Sequence, residues 1–378
     1  MSSLADQFEQ VLNGTLDPLR KNHGLPASSG AAAGWWRLKT DGSWDGNIVY
    51  VGEVQCQGPS QLIAAPNDDT LWEIGSTSKT TAAALLVQYA AANGGLLDEK
   101  VLQYIDAWLP RSDERPALLA DATFESLVTM SAGWAKNDAG GAVSNLFDNL
   151  LKVSTYPGTP GTWLYSNLAF AVIGYAMTQV YGVAPSDTVD LPSVYMSLLR
   201  DQLFTPLKID TTWQADADRR QLPYGWNRGD SGYTQTDGNN PSWPANDPAG
   251  GLTMTAPNLQ LWLQANMVAN STLSSQVLAD MRAELQSTGG NSNEGQWMGR
   301  GWFRKNFTLG GSTRQMVNKN GLAPGFEAGV GYLGPLVGTD DATAGVLCAF
   351  NATGVSPSSV NVELLQTVLA DPDTAPPN

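Results

Sequence analysis

The sequence predicts an α/β (α+β) fold in which one antiparallel sheet, flanked by helices, is built from both termini and a mainly helical domain is inserted. Three observations indicate it: β-like runs near the N-terminus, short helices joined by Gly- and Pro-rich loops in the middle, and β-like runs again before the C-terminus. At 378 residues the chain is long for one domain. We predict a sheet domain from residues 1–75 and 256–378, a helical domain from residues 76–255, and an active site between them.

The N-terminal part begins with an amphipathic helix over residues 3–22, where apolar residues recur at roughly helical spacing. Three β-like runs follow it: Trp35–Thr40, Asn47–Cys56 and Thr70–Ile74. From Ser76 to Asn93 the chain is rich in alanine, threonine and leucine, and Gly94-Gly95 marks the end of a helix. The last run ends at Gly75, so a strand-to-helix junction is predicted there.

The remaining helices and strands are separated by long polar segments. Helices are predicted at Phe124–Met130, Leu168–Val180, Ser193–Leu203, Leu259–Val268 and about 358–369. Residues 221–251 show little periodicity and are predicted to form a long surface loop or lid. Strands are predicted at Gly301–Asn306, Arg314–Val317, Gly325–Leu333 and Thr343–Phe350.

The charge and hydropathy of the chain exclude two classes of partner. Lysine and arginine number 21 against 36 acidic residues, and a net charge of −15 repels a phosphate backbone, so no nucleic acid is expected. No run of about 18 apolar residues is present, so no membrane span is expected either. Because no signal peptide is visible, we expect a soluble protein, cytoplasmic if the chain is full length and secreted or periplasmic otherwise.

The few cysteines and histidines restrict the available chemistry. Cys56 and Cys348 cannot make a disulfide scaffold or a four-cysteine zinc site. The one histidine is His23, so a Ser-His-Asp triad or a two-histidine metal site would have to be built around it. The composition therefore points away from the commonest hydrolase designs.

The segment Ser76-Thr77-Ser78-Lys79 places a serine at the strand-to-helix junction and a lysine three residues on. Both side chains project from one face of the first helical turn. A lysine that accepts the serine proton activates the hydroxyl as a nucleophile, and a helix N-terminus favours the negative charge that develops there. A serine N-cap beside a solvated lysine would look the same in isolation.

Two further clusters combine polar residues with the ends of predicted elements. Tyr165-Ser166-Asn167 precedes an apolar helix, where Tyr165 could relay protons and Asn167 could hold a substrate amide or the lysine. Lys319-Asn320-Gly321 lies between two strands, where a glycine lets a substrate backbone approach beside a cation. Taken singly, the first also fits a buried tyrosine before a helix cap, and the second a hairpin with an exposed lysine.

In this order the three motifs resemble those of the serine β-lactamase and penicillin-binding protein superfamily, most closely its branch of class C β-lactamases, D-aminopeptidases and lactamase-like esterases. The motif residues fit Ser-x-x-Lys, then Tyr-x-Asn, and then the position of Lys-Thr-Gly or His-x-Gly. Pro248–Leu252 and Gly299–Phe303 resemble flanking segments of that branch, so the resemblance runs from about residue 20 to 370. It implies a β-lactamase/transpeptidase-like fold.

The resemblance implies a chemical role for the first two motifs. Ser76 would be the acylated nucleophile, and Lys79 and Tyr165 would share the general-base and general-acid work. The backbone N–H groups of Ser76 and Leu322 would form the oxyanion hole. No metal or organic cofactor is required for such a mechanism.

The resemblance also implies a substrate-binding set. Asn167 would position the substrate amide and Lys79, and Lys319 would supply positive charge on the strand that carries Gly321. Asn320 departs from the pattern, because lactamases and peptidases usually carry there a hydroxyl residue that helps to hold a substrate carboxylate. This departure puts potent β-lactamase activity in doubt.

We therefore predict a serine hydrolase or acyltransferase that acts on a small-molecule or peptide substrate through an acyl-enzyme. An amide bond in a D-amino-acid peptide or a β-lactam is favoured, since Lys319 suits a substrate that bears a carboxylate. The alternative is a carboxylesterase or transesterase of the same fold, which Asn320 and the many aromatic residues support. A non-catalytic acyl-binding sensor would need only the serine, so the complete Ser/Lys/Tyr set argues against it. The sequence leaves the oligomeric state open.

Overall fold

The computed structural model describes residues 2–110, 116–134, 143–151, 158–184, 189–213, 216–237, 244–290, 292–309, 311–334 and 342–375. Numbered in chain order, the α-helices of these residues are α1 Leu4–His23, α2 Lys79–Asn93, α3 Leu102–Ile105, α4 Ala117–Ala120, α5 Phe124–Val128, α6 Val143–Leu150, α7 Asn167–Val180, α8 Leu191–Leu199, α9 Asp247–Gly250, α10 Ala256–Met267, α11 Ser275–Arg282 and α12 Pro357–Ala370.

The strands of the described residues are β1 Gly30–Leu38, β2 Trp44–Gly52, β3 Val54–Gln55, β4 Ile63–Ala64, β5 Leu71–Glu73, β6 Thr212–Trp213, β7 Gly225–Gly229, β8 Gly232–Thr236, β9 Leu252–Thr255, β10 Gln286–Ser287, β11 Trp297–Met298, β12 Phe303–Leu309, β13 Ser312–Ala323, β14 Phe326–Leu333 and β15 Ala344–Phe350. Together with the helices they form a mixed α and β architecture, as the sequence predicts.

Strands from both ends of the chain share one eight-stranded sheet, in the order β10-β11-β12-β13-β14-β15-β1-β2. Every neighbouring pair in this sheet is antiparallel. The two termini meet where β1 pairs with β15, from Ala31 opposite Phe350 to Arg37 opposite Ala344. This arrangement confirms the predicted fold class; the domain boundaries at residues 75 and 255 stay a prediction.

The two faces of the sheet bury different apolar clusters. One face packs Trp35 and Ala31 of β1 against α1, where Phe8 is fully buried, and against α12. The other face places Ala32 in a cluster with α2, α7 and α10. Successive side chains of a strand point to opposite faces, which is why Ala31 and Ala32 enter different clusters. Full burial of a side chain such as Phe8 contributes about 1.5–3 kcal/mol to folding.

Several local predictions differ from the structure, and Lys319-Asn320-Gly321, predicted to lie between two strands, is within β13. The predicted loop over residues 221–251 contains the β7–β8 hairpin and α9, because a polar two-residue turn between Gly229 and Gly232 closes a pair of strands that are too short and too polar to show in the sequence pattern. The predicted helix from Ser76 begins at Lys79 instead, and Gly75–Ser78 forms a 3₁₀ turn. No helix within the described residues is long and apolar enough to cross a bilayer.

Candidate active site

Ser76 lies in the 3₁₀ turn between β5 and α2. The Ser78 hydroxyl donates to the Gly75 carbonyl oxygen at 2.7 Å, and the Leu252 N–H donates to Ser78 Oγ at 3.2 Å. The chain can turn here because Gly75 adopts a φ of +48°, a left-handed conformation that favours glycine. A Cβ on Gly75 would also lie 2.5 Å from the carbonyl oxygen of Leu322, so a larger residue would push the nucleophile turn away from β13.

Lys79 begins α2, and its side chain is fully buried. Its Nζ donates to Ser76 Oγ at 3.0 Å, to Asn167 Oδ1 at 2.6 Å and to the Ala249 carbonyl oxygen at 2.6 Å. Nζ also lies 5.1 Å from the centroid of the Tyr165 ring. The three-residue spacing between Ser76 and Lys79 therefore brings the amine to the hydroxyl, and two oxygens from other elements hold it there.

The Tyr165 hydroxyl donates to Ser76 Oγ at 2.6 Å. Ser166, the next residue, is the N-cap of α7, and its Oγ accepts the Ala169 N–H at 3.1 Å. Such a side-chain cap satisfies a backbone donor that the first helical turn leaves unpaired. The cap sets the start of α7, with Asn167 as its first residue and Tyr165 directly before it.

The end of β13 packs closely against the Ser76 turn. A Cβ on Gly321 would lie 1.7 Å from the Ile74 carbonyl oxygen, so glycine is required at this position. The backbone nitrogen of Leu322 is 2.7 Å from the position that a Cβ on Gly75 would occupy. The structure thus brings the backbone of Leu322 next to the turn that carries Ser76.

Lys319 differs from the sequence expectation of an available cation, because it is fully buried and forms an ion pair with Glu294. Its Nζ donates to the two carboxylate oxygens at 2.8 and 2.6 Å and to the Asn320 carbonyl oxygen at 2.9 Å. Burial lowers the pKa of Lys319, and the negative charge of Glu294 opposes that shift. The charge that Lys319 brings to the site is therefore balanced locally.

Asn320 points its side chain away from Lys319. Its Oδ1 lies 3.0 Å from the position that a Cβ on Gly329 would occupy, and Asn361 Nδ2 of α12 lies 2.8 Å from the same position. Neighbouring residues of a strand face opposite sides of the sheet. Lys319 therefore faces Tyr165, whose ring centroid is 5.6 Å from its Nζ, while Asn320 faces α12. The Asn320 N–H donates to Glu294 Oε2 at 2.7 Å.

Sequence reasoning missed two groups of this site, Glu294 and the Ala249 carbonyl. Glu294 lies in a Gly-, Asn- and Ser-rich segment between β10 and β11, which carries no periodicity that would locate it. Ala249 belongs to the Pro248–Leu252 segment that resembles a family turn, so that resemblance was the available signal. His23 is exposed, and the guanidinium of Arg228 lies 3.1 Å from its Nε2.

The described residues offer no group of three or more His, Cys, Asp or Glu side chains that could hold a metal ion. The polar groups around Ser76 Oγ are instead an amine and a phenol, which can exchange protons with a hydroxyl. This arrangement can activate a serine nucleophile without a histidine.

Comparisons with known proteins agree with the fold and the motifs. The sequence model of the Beta-lactamase family matches residues 45–336, which is more than half of the chain. A solved structure described as "A class C beta-lactamase" is similar to this chain with a TM-score of 0.71 and 17% identity, over 97% of this chain and 98% of that one. No curated protein matches the chain significantly. Because the family model matches more than half of the chain, the chain belongs to the β-lactamase family.

Proposed function

We propose that this serine hydrolase acts through an acyl-enzyme formed on Ser76, with Lys79 and Tyr165 as its proton-transfer groups. One observation carries the proposal: Ser76 Oγ is within hydrogen-bond distance of both Lys79 Nζ, at 3.0 Å, and the Tyr165 hydroxyl, at 2.6 Å. A nucleophile within hydrogen-bond distance of two groups that exchange protons is the arrangement that acyl transfer needs.

In the proposed reaction, Ser76 Oγ attacks the carbonyl carbon while its proton passes to the Lys79–Tyr165 pair. The same proton then goes to the leaving nitrogen or oxygen as the scissile bond breaks, which leaves the acyl group on Ser76. Water, or another nucleophile in a transferase reaction, attacks this ester and gives its proton back through the pair, which restores the hydroxyl. All three groups end as they began.

The backbone N–H groups of Ser76 and Leu322 would stabilise the negative charge on the carbonyl oxygen during both steps. The close packing of Leu322 against Gly75 supports this pairing. Fixed backbone donors are effective because they need no reorganisation as charge develops. Asn167 would hold Lys79 in place through its Oδ1, 2.6 Å from Nζ, and position the substrate amide.

An amide bond, in a D-amino-acid peptide or a β-lactam, is one candidate for the bond that is cleaved. An ester bond is the second candidate, and a specific observation favours it: the ammonium of Lys319 is already paired with Glu294, so it is not free to hold the carboxylate of a peptide or β-lactam. Both candidates use the same acyl-enzyme chemistry.

Covalent labelling tests the nucleophile. A fluorophosphonate probe should add one label per chain, and peptide mapping should find that label on Ser76. In Ser76→Ala the label should be lost, together with turnover of p-nitrophenyl acetate, while Ser197→Ala serves as a control that removes an exposed hydroxyl on α8. Labelling that persists in Ser76→Ala would disprove the assignment.

A further inference from the structure

We infer that Glu294 is a specificity-determining residue, which excludes substrates that carry a carboxylate beside the scissile bond and so selects uncharged acyl esters or amides. The inference rests on the proposed acyl-enzyme function. Glu294 lies in the segment between β10 and β11, and it reaches across to β13 with a side chain that is 15% exposed.

Glu294 and the carbonyl oxygen of Asn320 together use all three N–H donors of Lys319. An ammonium has three N–H donors, and Lys319 has three acceptors at 2.6–2.9 Å: both oxygens of Glu294 and the carbonyl oxygen of Asn320. With no exposed surface, Lys319 cannot reach a second carboxylate unless one of these bonds breaks. The positive charge of Lys319 is therefore balanced by Glu294 inside the protein.

Glu294 also accepts a hydrogen bond from the backbone of β13, on the strand edge that lies beside Ser76. The pairing of β12 with β13 begins at Phe303 opposite Asn318, so β13 continues beyond it with no neighbouring strand on that side among the residues that the structure describes. There the N–H of Asn320 donates to Glu294 Oε2 at 2.7 Å. Two residues further, on the same edge, is the N–H of Leu322 that we assign to the oxyanion hole.

The spacing of residues along β13 indicates where a bound substrate would lie relative to Glu294. Two residues span about 6.6 Å of strand, so a carbonyl bound at Leu322 would place the adjoining part of the substrate within reach of Glu294. A carboxylate there would give up hydration without gaining a cation, because the Lys319 ammonium is already bonded to both oxygens of Glu294. The net charge of −15 adds repulsion at longer range. An uncharged group meets neither penalty.

A matched pair of esters tests the inference. We would compare the 3-carboxyphenyl ester of N-phenylacetylglycine with its 3-carbamoylphenyl counterpart, which differ in the charge of the leaving group. The readout is the ratio of kcat/KM for the neutral ester to kcat/KM for the anionic ester. Because both rates come from one preparation, the ratio does not depend on the fraction of active enzyme.

The wild-type ratio should be about 10 or more, the scale of a modest desolvation cost for a carboxylate that gains no partner. In Glu294→Gln, which removes the negative charge and frees the Lys319 ammonium, the ratio should fall at least about tenfold. Glu125→Gln is the matched control. Glu125 lies on α5 and forms an ion pair with Arg300 at 2.7 Å, and removing its charge should leave the ratio as in the wild type.

An unchanged ratio in Glu294→Gln would overturn the inference, and so would a wild-type preference for the anionic ester, which needs no variant to fold. Fluorophosphonate labelling of Ser76 in the same preparations separates this failure from that of the proposed function. A labelled Ser76 with an unchanged ratio rejects only the role of Glu294, whereas an unlabelled Ser76 rejects the acyl-enzyme itself.

Discussion

The two lysines of the site, Lys79 and Lys319, are both fully buried but have different partners. Lys79 donates to a hydroxyl, an amide and a backbone carbonyl oxygen. Lys319 donates to both oxygens of the Glu294 carboxylate, and burial shifts its pKa downward while Glu294 resists that shift. The same residue type, equally buried, thus donates to these three neutral oxygens in one case and to a carboxylate in the other.

The difference teaches how one site can use two lysines for separate tasks. Lys79 contacts the Ser76 hydroxyl directly, so it is placed to exchange a proton with Ser76. When a buried ammonium is paired with a carboxylate, removal of either partner leaves an uncompensated charge. Lys79 should therefore matter most for rate, and Lys319 most for stability.

The largest expected effect is that of Lys79→Met on rate. Loss of the amine should lower kcat/KM for p-nitrophenyl acetate by roughly 10²–10⁴-fold, the range for an acid–base group. The loss should exceed that of Lys319→Met, which is the same change of side chain at the other lysine. Steady-state kinetics on both variants measure the difference, and a greater loss at Lys319 would reverse the assignment of tasks.

A double variant sharpens this prediction. Tyr165→Phe alone should cost about 10²-fold or more, because it removes the other group that contacts Ser76 Oγ. If Lys79 and Tyr165 act as one proton-transfer unit, Lys79→Met/Tyr165→Phe should be little worse than the poorer single variant. Fully additive losses would mean that the two groups serve separate steps.

The second effect in size concerns stability. Lys319→Met should lower the free energy of unfolding by about 3–5 kcal/mol, because Glu294 keeps a largely buried charge without its partner. Lys79→Met should cost less, since the three oxygens described above, of Ser76, Asn167 and Ala249, are neutral. Urea unfolding at pH 7 measures both values. Lys319→Met/Glu294→Gln should recover part of the loss, and a single variant as stable as the wild type would contradict the ion-pair argument.

The smallest effect is a dependence of stability on pH. Burial lowers the pKa of Lys319 in the folded chain below its ordinary value of 10.5. Between the lowered pKa and 10.5 the unfolded chain binds more protons than the folded one, so the free energy of unfolding contributed by this residue rises with pH. Lys319→Met should lack that rise. Urea midpoints of the two proteins at several pH values from 8 to 10 test it, and parallel profiles would refute it.

Much of the sheet could be predicted because its strands carry their own signal. The predicted strand Thr343–Phe350 is observed as β15, Ala344–Phe350, since a continuous apolar run bounded by polar residues is typical of a central strand. The β7–β8 hairpin could not be predicted in the same way. Its two strands are short and largely polar, and contacts with Thr353 and Gly325 at the end of the large sheet fix its position.

The motif residues were found in the sequence because their spacing is local. Lys79 lies three positions after Ser76, and one helical turn converts that spacing into a 3.0 Å contact. The sequence was therefore enough to predict that Ser76 and Lys79 lie within hydrogen-bond distance. The distance from Tyr165 to Ser76, which are 89 residues apart, came only with the packing of α7 against α2.

The sequence by itself determined the family, the fold class and the residues that we assign to acyl transfer. Only the tertiary structure decided the state of Lys319, because its partner Glu294 is 25 residues away in a segment without periodicity. The sequence shows that Lys319 is a lysine but not whether its charge can act on a substrate. In the folded protein a carboxylate oxygen 2.6 Å away cancels most of the field of the Lys319 ammonium. Such partners are set by how the segments fold against each other, and no local pattern records them.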